Sequence, residues 1–337
     1  MRASIIPIFI PHIGCPMNCV FCNQRRISGS LLPATPEDVQ KQLQMGLEKL
    51  PEGRRPQVAF YGGSFTAIPA PEQEALLKAA HAFILSGRVE SLRVSTRPDA
   101  IDDERLARLW RYGVRTVELG SQSMDDAVLR KSNRGHTARD TENAAARIRK
   151  WDFQLILQMM TGLPGSSFEK DLASARKIAA LRPDGVRIYP TVIVKDTALY
   201  DMWRRGEYAA HTVPDAVSLC AEIVPIFEDA GIPVIRLGLN PTEELSGGSA
   251  AAGAYHPALG ELVLSRMYLN RLRPELQKYR GAKSLLISVH PTRISVMVGQ
   301  NRGNISAICS EFGIGNVKVV GNEVEKNDIR VVSVANR

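Results

Sequence analysis

From its start to about residue 237 the chain alternates two kinds of pattern. Short apolar runs rich in Val, Ile and Leu occur at 4–10, 57–60, 91–95, 115–119, 153–159, 185–189 and 234–237. Between them lie longer stretches, 37–50, 72–85, 103–112, 138–151, 168–181 and 213–230, most with apolar residues three and four apart. The first pattern predicts strands covered on both faces, the second amphipathic helices. Thr35-Pro36 adds a cap and a first-turn proline to one of them. Strand and helix in strict alternation build βαβ units, because parallel neighbours need a crossover. An all-helical bundle and an antiparallel sandwich are excluded. An open doubly wound sheet and an incomplete parallel barrel of six or seven units both fit, and periodicity does not choose between them.

The texture changes after Leu237. Residues 247–253 are all Gly, Ser and Ala, which reads as a linker or mobile loop. A helical stretch follows at 257–276, then a compact unit with a strand at 284–289, a helix at 305–312 and strands at 317–320 and 329–334. The expected organisation is a core domain at 1–240, a linker with connecting helix at 241–282 and a small α/β domain at 283–337. The apolar opening is far shorter than the roughly 18 residues of a membrane span, so a cytoplasmic protein with no membrane partner is expected. The 43 basic residues exceed the 35 acidic ones, giving a net charge of +8 that suits a polyanionic partner such as RNA.

Three of the five cysteines fall within eight residues, directly after the first strand run. Gly14-Cys15-Pro16-Met17-Asn18-Cys19-Val20-Phe21-Cys22 is a C-x3-C-x2-C array, unlike the even spread of a secreted disulfide framework. Cys220 and Cys309 read as small buried hydrophobes. A structural zinc site and a fully protein-ligated [4Fe–4S] cluster each need four ligands, and the array offers three. Three thiolates leave one iron of a cubane open for another ligand. A zinc site completed by His12 or a distant group is the alternative.

The array at this place resembles the signature of the radical S-adenosylmethionine (SAM) superfamily, over residues 5 to about 240. That resemblance implies an incomplete parallel β/α barrel of the TIM type, followed by the small C-terminal α/β domain. It also implies catalytic and metal-binding roles for Cys15, Cys19 and Cys22. They would hold a [4Fe–4S] cluster whose open iron binds SAM. An electron from a donor such as flavodoxin or ferredoxin then cleaves SAM to a 5′-deoxyadenosyl radical.

Further cofactor residues follow from the same resemblance. Phe21 could lie beside the adenine or shield the cluster, and plain core packing is equally open. Tyr61-Gly62-Gly63-Ser64-Phe65 resembles the glycine-rich turn that bonds the SAM amino group, with Ser64 where many members carry Glu. Thr96 and Arg97, in Val94-Ser95-Thr96-Arg97-Pro98-Asp99, and Gln122, in the stretch 117–123, look like cofactor-lining residues. Arg97 could pair with the SAM carboxylate and Gln122 bond ribose or substrate. Asn133-Arg134-Gly135-His136 extends the match. Gly162-Leu163-Pro164-Gly165 is similar to a strand-end turn near the adenine in the coproporphyrinogen-dehydrogenase-like branch.

Within the superfamily, residues 60–68, 95–99, 117–123, 186–191 and 197–208 are similar to the radical SAM half of the Elongator catalytic-subunit family. Its members act on the wobble uridine of tRNA and carry an acetyltransferase domain that uses acetyl-CoA. The resemblance implies tRNA modification. The match ends before an acetyltransferase would begin, so the full reaction is expected to need a separate acyltransferase. The first two cysteines are also closer together than in Elongator proteins. A porphyrin-type small-molecule oxidoreductase shares His136 and the 162–165 turn and is the first alternative. A non-catalytic, metal-stabilised RNA-binding protein is the second.

In the last unit, Val298-Gly299-Gln300-Asn301-Arg302-Gly303-Asn304-Ile305 resembles the nucleic-acid clamp of a KH domain. Gly299 and Ile305 match it, and Arg302 replaces the second glycine. Arg293, Gly299 and Arg302 are therefore candidate RNA contacts, with Lys318, Lys326 and Arg330 nearby. The bland reading is an ordinary glycine turn with solvated charges.

Overall fold

In the computed structural model, residues 4–28, 32, 34–243 and 245–335 are described. The first three residues of the apolar opening and the last two of the C-terminal unit lie outside them. The chain forms two compact units, one running to Thr212 and resuming at Ile226–Tyr255, the other Val213–Pro225 with His256–Arg337.

The first unit follows the alternation. Its elements are β1 (Ile5–Phe9), α1 (Gln24–Ser28), α2 (Pro36–Glu48), β2 (Gln57–Tyr61), α3 (Ala70–Leu85), β3 (Ser91–Thr96), α4 (Asp103–Arg111), β4 (Val114–Gln122), α5 (Asp126–Lys131), α6 (Ala138–Lys150), β5 (Gln154–Thr161), α7 (Phe168–Ala180), β6 (Gly185–Pro190), β7 (Val192–Val194) and α8 (Ala198–Arg204). Then come α9 (Val213–Asp229), which passes between the units, β8 (Val234–Leu237) and β9 (Ala250–Gly253). Seven strands form one sheet in the order β1-β2-β3-β4-β5-β6-β8, every pair parallel. This sheet curls into a half-barrel, so of the two folds the alternation allows, the incomplete barrel is the one formed.

Val58, Phe60, Leu92, Val94, Val117, Leu119, Leu155, Leu157, Val186 and Ile188 are fully buried on the outer face, where helices cover the strands. The inner face differs from the expectation. Gln57, Tyr61, Arg93, Glu118, Gln158 and Arg187 alternate with those apolar residues and face one another across the strands. The middle strands thus carry polar side chains on the inner face, because the inside of a half-barrel is a partly open lumen.

Capping fixes where the helices begin. Thr35 and Thr137 form reciprocal boxes with Asp38 and Asp140, and Asp102, Ser167 and Thr197 cap α4, α7 and α8. Residues 247–253, expected to be a linker, instead complete a turn and pair antiparallel to β7 as β9. Small residues are needed there: a Cβ on Gly253 would meet the Thr191 carbonyl at 2.8 Å.

The second unit holds α10 (Leu259–Leu276), β10 (Ser284–Val289), α11 (Ile294–Val298), α12 (Gly303–Phe312), β11 (Val317–Gly321) and β12 (Ile329–Ala335). β10 is central, parallel to β11 and antiparallel to β12. Tyr268, Leu272 and Leu276 of α10 pack with Leu285, Ile287, Ile305, Ile308 and Phe312. The helix expected as a connector is thus a wall of this unit's core. Cys220 is buried and Cys309 half-buried against that core, as small hydrophobes. No helix among the described residues is long and apolar enough to cross a membrane.

Candidate active site

The cysteine loop is pressed against the end of β2. Ile10 and His12 extend the β1–β2 ladder, donating to the carbonyls of Tyr61 (2.8 Å) and Gly62 (2.9 Å). Ser64 N–H returns to the Ile13 carbonyl at 2.9 Å. Backbone meets backbone here: a Cβ on Gly63 would lie 2.5 Å from the Ile13 oxygen and 2.7 Å from that of Ile10, and one on Gly14 would lie 2.3 Å from the Ser64 oxygen. Glycine is required by contact at Gly63 and by both contact and a left-handed φ of +72° at Gly14. Gly62 has a φ of +92°, and a Cβ there would meet Pro11 only at an ordinary contact distance of 3.6 Å.

A later part of the chain clamps the other side of the loop. Val20 N–H donates to the Ser132 carbonyl (3.1 Å), the Asn133 amide to the Asn18 carbonyl (2.9 Å) and Arg134 Nη1 to Cys19 Sγ (3.4 Å). Arg134 Nη2 also donates to the Gly120 carbonyl at 2.8 Å, which fixes the guanidinium between β4 and the loop.

The thiols sense one another. Burial pushes the Cys22 thiol up to about 12, aided by the charges of Cys19 and Cys15, while Gln24 donates to its sulfur at 3.6 Å. Burial also raises Cys15, with Arg134 and Arg97 pulling the other way. Cys15 and Cys22, each in the field of the neighbouring sulfurs, resist ionising unless a cationic centre joins them. Among the described residues no three His, Cys, Asp or Glu side chains converge as ligands of a single ion. His12 is committed elsewhere: its Nε2 accepts from Gln24 N–H at 3.0 Å. A spread set of three thiols fits a multi-iron cluster, whose ligands bind different irons, better than a zinc ion completed by His12.

The other sequence-predicted residues divide into groups. Ser64, Thr96 and Thr66 form a buried hydroxyl cluster, with Thr96 Oγ1 at 3.2 Å from Ser64 and 2.5 Å from Thr66. Ser64 also accepts from Arg97 N–H at 3.2 Å. It therefore braces the β2 and β3 ends against each other. The Arg97 guanidinium is buried and grips Asp99 through two bonds of 2.9 Å and the Arg134 carbonyl at 2.8 Å. Gln122 is buried at the end of β4 and accepts from Gln158 at 3.1 Å. Gly162 N–H donates to Asp171 at 2.8 Å and its carbonyl accepts from Tyr208 at 2.5 Å. Phe21 packs against Val128, Met160 and Leu163. Arg293, Gly299 and Arg302 lie in the second unit, Arg293 just before α11 and the other two on the α11–α12 connection. Arg302 keeps the left-handed backbone, at φ +60°, that a glycine would adopt there.

Sequence reasoning gave no role to Arg134 and His136 and overlooked the polar inner face. Arg134 Nε and His136 Nδ1 are buried and have no hydrogen-bond partner among the described residues. His136 pairs its Nε2 with the Ser121 carbonyl (3.2 Å), and burial with the nearby Arg134 holds it neutral, down to about 4. An unmet donor beside the thiols, and an unmet acceptor on a histidine that feels the same arginine, suit a ligand that carries both a carboxylate and an amine, as SAM does. The inner-face signal was present in the sequence as polar residues two apart, Arg93-Ser95, Thr116-Glu118 and Arg187-Tyr189, inside runs read as apolar.

Comparison with known proteins agrees with this geometry. The profile of the radical SAM superfamily matches residues 9–178, and that of the radical SAM C-terminal domain matches 183–269. The chain is 27% identical over 227 residues to human Elongator complex protein 3, covering 61% of this chain and 40% of that protein. It is 26% identical over 252 residues to the tRNA uridine(34) acetyltransferase of Dehalococcoides mccartyi, covering 65% and 55%. The chain therefore spans about half or less of the length of these relatives. Elp3 of the archaeon Methanocaldococcus infernus, solved with an N-terminal deletion, superposes with a TM-score of 0.64 at 23% identity over 80% of this chain and 64% of that one. That likeness establishes the fold.

Proposed function

Because the chain belongs to the radical SAM superfamily and so is an enzyme, we propose that Cys15, Cys19 and Cys22 hold a [4Fe–4S] cluster with SAM beside it. Together these cofactors supply one-electron cleavage of SAM to a 5′-deoxyadenosyl radical. This chain's residues orient and shelter them. Gly62 and Gly63 offer backbone at close approach to the SAM amino group. Arg134, with its unmet Nε, is the cation available for the carboxylate, and Arg97 positions it through the Arg134 carbonyl. His136, neutral and with a bare Nδ1, accepts a proton donor of the cofactor without adding charge. The half-barrel inner face receives the substrate, and the aromatic Phe21 limits water near the cluster.

We take tRNA as the substrate class and uridine modification as the outcome. The observation that carries this reading is the likeness to a tRNA uridine(34) acetyltransferase over 65% of this chain, joined to a net charge of +8. The α11–α12 connection with Gly299 and Arg302, together with Arg293 at the start of α11, would hold RNA backbone. A flavodoxin- or ferredoxin-like protein would supply the electron, and a separate acyltransferase any acyl chemistry.

Anaerobic reconstitution tests the cofactor assignment. We expect about four irons and four sulfides per chain, formation of 5′-deoxyadenosine from SAM, and loss of both in Cys19→Ala. Cys220→Ala and Cys309→Ala should retain both. Full iron content in Cys19→Ala would sink the assignment. The tRNA reading rests on a separate measurement, the modified nucleosides of bulk tRNA with and without the gene, and an unchanged profile removes it.

A further inference from the structure

The inner face of the half-barrel holds more positive charge than it needs for packing. Glu118, deeply buried on β4, accepts from Arg93 Nη1 at 2.7 Å, from Arg187 Nε at 2.8 Å and Nη2 at 3.1 Å, and from the Tyr61 hydroxyl at 3.0 Å. Arg93 also donates to Gln57 at 2.7 Å, and its buried Nε has no hydrogen-bond partner among the described residues. One carboxylate thus already serves two guanidiniums. Arg236 adds a third, standing next to Arg187 in the β6–β8 register and close enough to act on Tyr189. No hydrogen bond or ion pair joins Arg236 to another described residue. Glu118 is the sole acidic residue in the seven strands of this sheet.

The other ionisable groups on this face do not restore balance. Burial raises the hydroxyls of Tyr61 and Tyr189, so both stay neutral. Gln57, Gln122 and Gln158 carry no charge. Two other arginines in enclosed positions of this unit have carboxylate partners, Arg97 with Asp99 and Arg108 with Glu104 and Glu74, whereas the buried Arg134 faces the thiol of Cys19. Guanidinium charge left over in a partly enclosed place is costly unless an anion joins it. Its planar donor fork matches the oxygens of phosphate and carboxylate.

We propose that Arg236, with Arg187 beside it, receives an oxyanion carried by the substrate, a phosphate ester or a carboxylate. Glu118 is a positioning residue. It holds Arg187 in place from the closed side, and Arg93 anchors Glu118 in turn. The inference rests on the reading that this face receives the substrate, and adds the chemical group recognised there.

The test needs neither cluster nor SAM. Full-length protein is titrated calorimetrically with inorganic phosphate, uridine 5′-monophosphate and acetate, for the wild type, Arg236→Gln and Arg139→Gln. Arg139 is exposed on α6, so its variant carries the same change in net charge away from the inner face. We expect binding by wild type that weakens at least tenfold in Arg236→Gln and less than twofold in Arg139→Gln. Since Arg236 bonds to no described residue, its loss should leave the fold intact, which circular dichroism and the melting temperature check. Binding of phosphate and uridine monophosphate identifies a phosphate ester as the group, and binding of acetate alone a carboxylate. Failure of all three to bind wild type, or equal weakening in both variants, overturns the inference. SAM cleavage by reconstituted wild type is read separately. Cleavage without oxyanion binding removes this inference alone, and oxyanion binding without cleavage removes the cofactor assignment alone.

Discussion

At Gly63 a single methyl group has no room, since two backbone oxygens stand under 3 Å from where it would go. Gly63→Ala should therefore cost about 1–3 kcal/mol, as overpacking does, and part the cysteine loop from β2. Gly87 has a φ of +73° that only an added side chain would find strained, and nothing lies near its Cβ position, so Gly87→Ala should cost only about 1 kcal/mol. Urea unfolding measures both, and iron content after reconstitution should fall in Gly63→Ala alone. The arginines of the loop divide similarly. Arg134→Ala should weaken SAM binding by about 1.5–3 kcal/mol, the worth of hydrogen bonds to a charged group, by calorimetry on reconstituted protein. Undiminished affinity would assign the carboxylate to another cation. The cysteines and the glycine pair were legible in the sequence because each group is contiguous. Arg134 was visible as part of a matching stretch, but its purpose was not. It reaches Cys19 across 115 residues, and no local pattern records a contact of that kind.

Among the elements, α7 carries a titrating cap. Asp171 accepts from Gly162 N–H at 2.8 Å and from the Ser166 hydroxyl at 2.5 Å, which ties the helix to the 162–165 turn. Burial raises its carboxyl from the usual 3.8 to about 6. The folded state thus favours the protonated acid more than the unfolded chain does. This contribution is fully present below about pH 4 and is lost as pH rises through about 6, a swing on the order of 3 kcal/mol. Asp171→Asn keeps an acceptor for Gly162 without a buried charge. Its stability should match or exceed that of wild type at pH 8, with the difference shrinking toward pH 4 in urea titrations. A constant difference across that range would assign the effect to packing. The long helices and the seven main strands were legible from periodicity. The helices α1, α5, α8 and α11 have five to seven residues each, shorter than the window in which a helical period can be recognised. The inner face was missed for another reason: runs dense in Val, Ile and Leu conceal a period of two when both faces are assumed dry.

For the whole molecule the sequence suggested division at 240 and 283, while the compact units exchange the segment Val213–Pro225 and then change over between Tyr255 and His256. Their limits depend on α10 joining strands that follow it, a partnership that linear reading does not reveal. It also decides how RNA binding should be probed. Cutting after Leu276 would leave the apolar side of α10 bare, so point substitutions are the cleaner test. Affinity for bulk tRNA should fall steeply with salt through counterion release, and Arg302→Ala and Arg293→Ala should each lower the slope of log K against log salt by about one. A flat salt response would remove the second unit from the RNA reading. The clamp on the cysteine loop also has a consequence in time. The thiols are made before the residues that clamp them, since Asn133 and Arg134 follow Asn18 and Cys19 by 115 residues. At roughly 5–20 residues per second, a growing chain presents its three sulfurs to the cell for on the order of ten seconds before the residues that fasten them exist. During that interval the loop is at its most open.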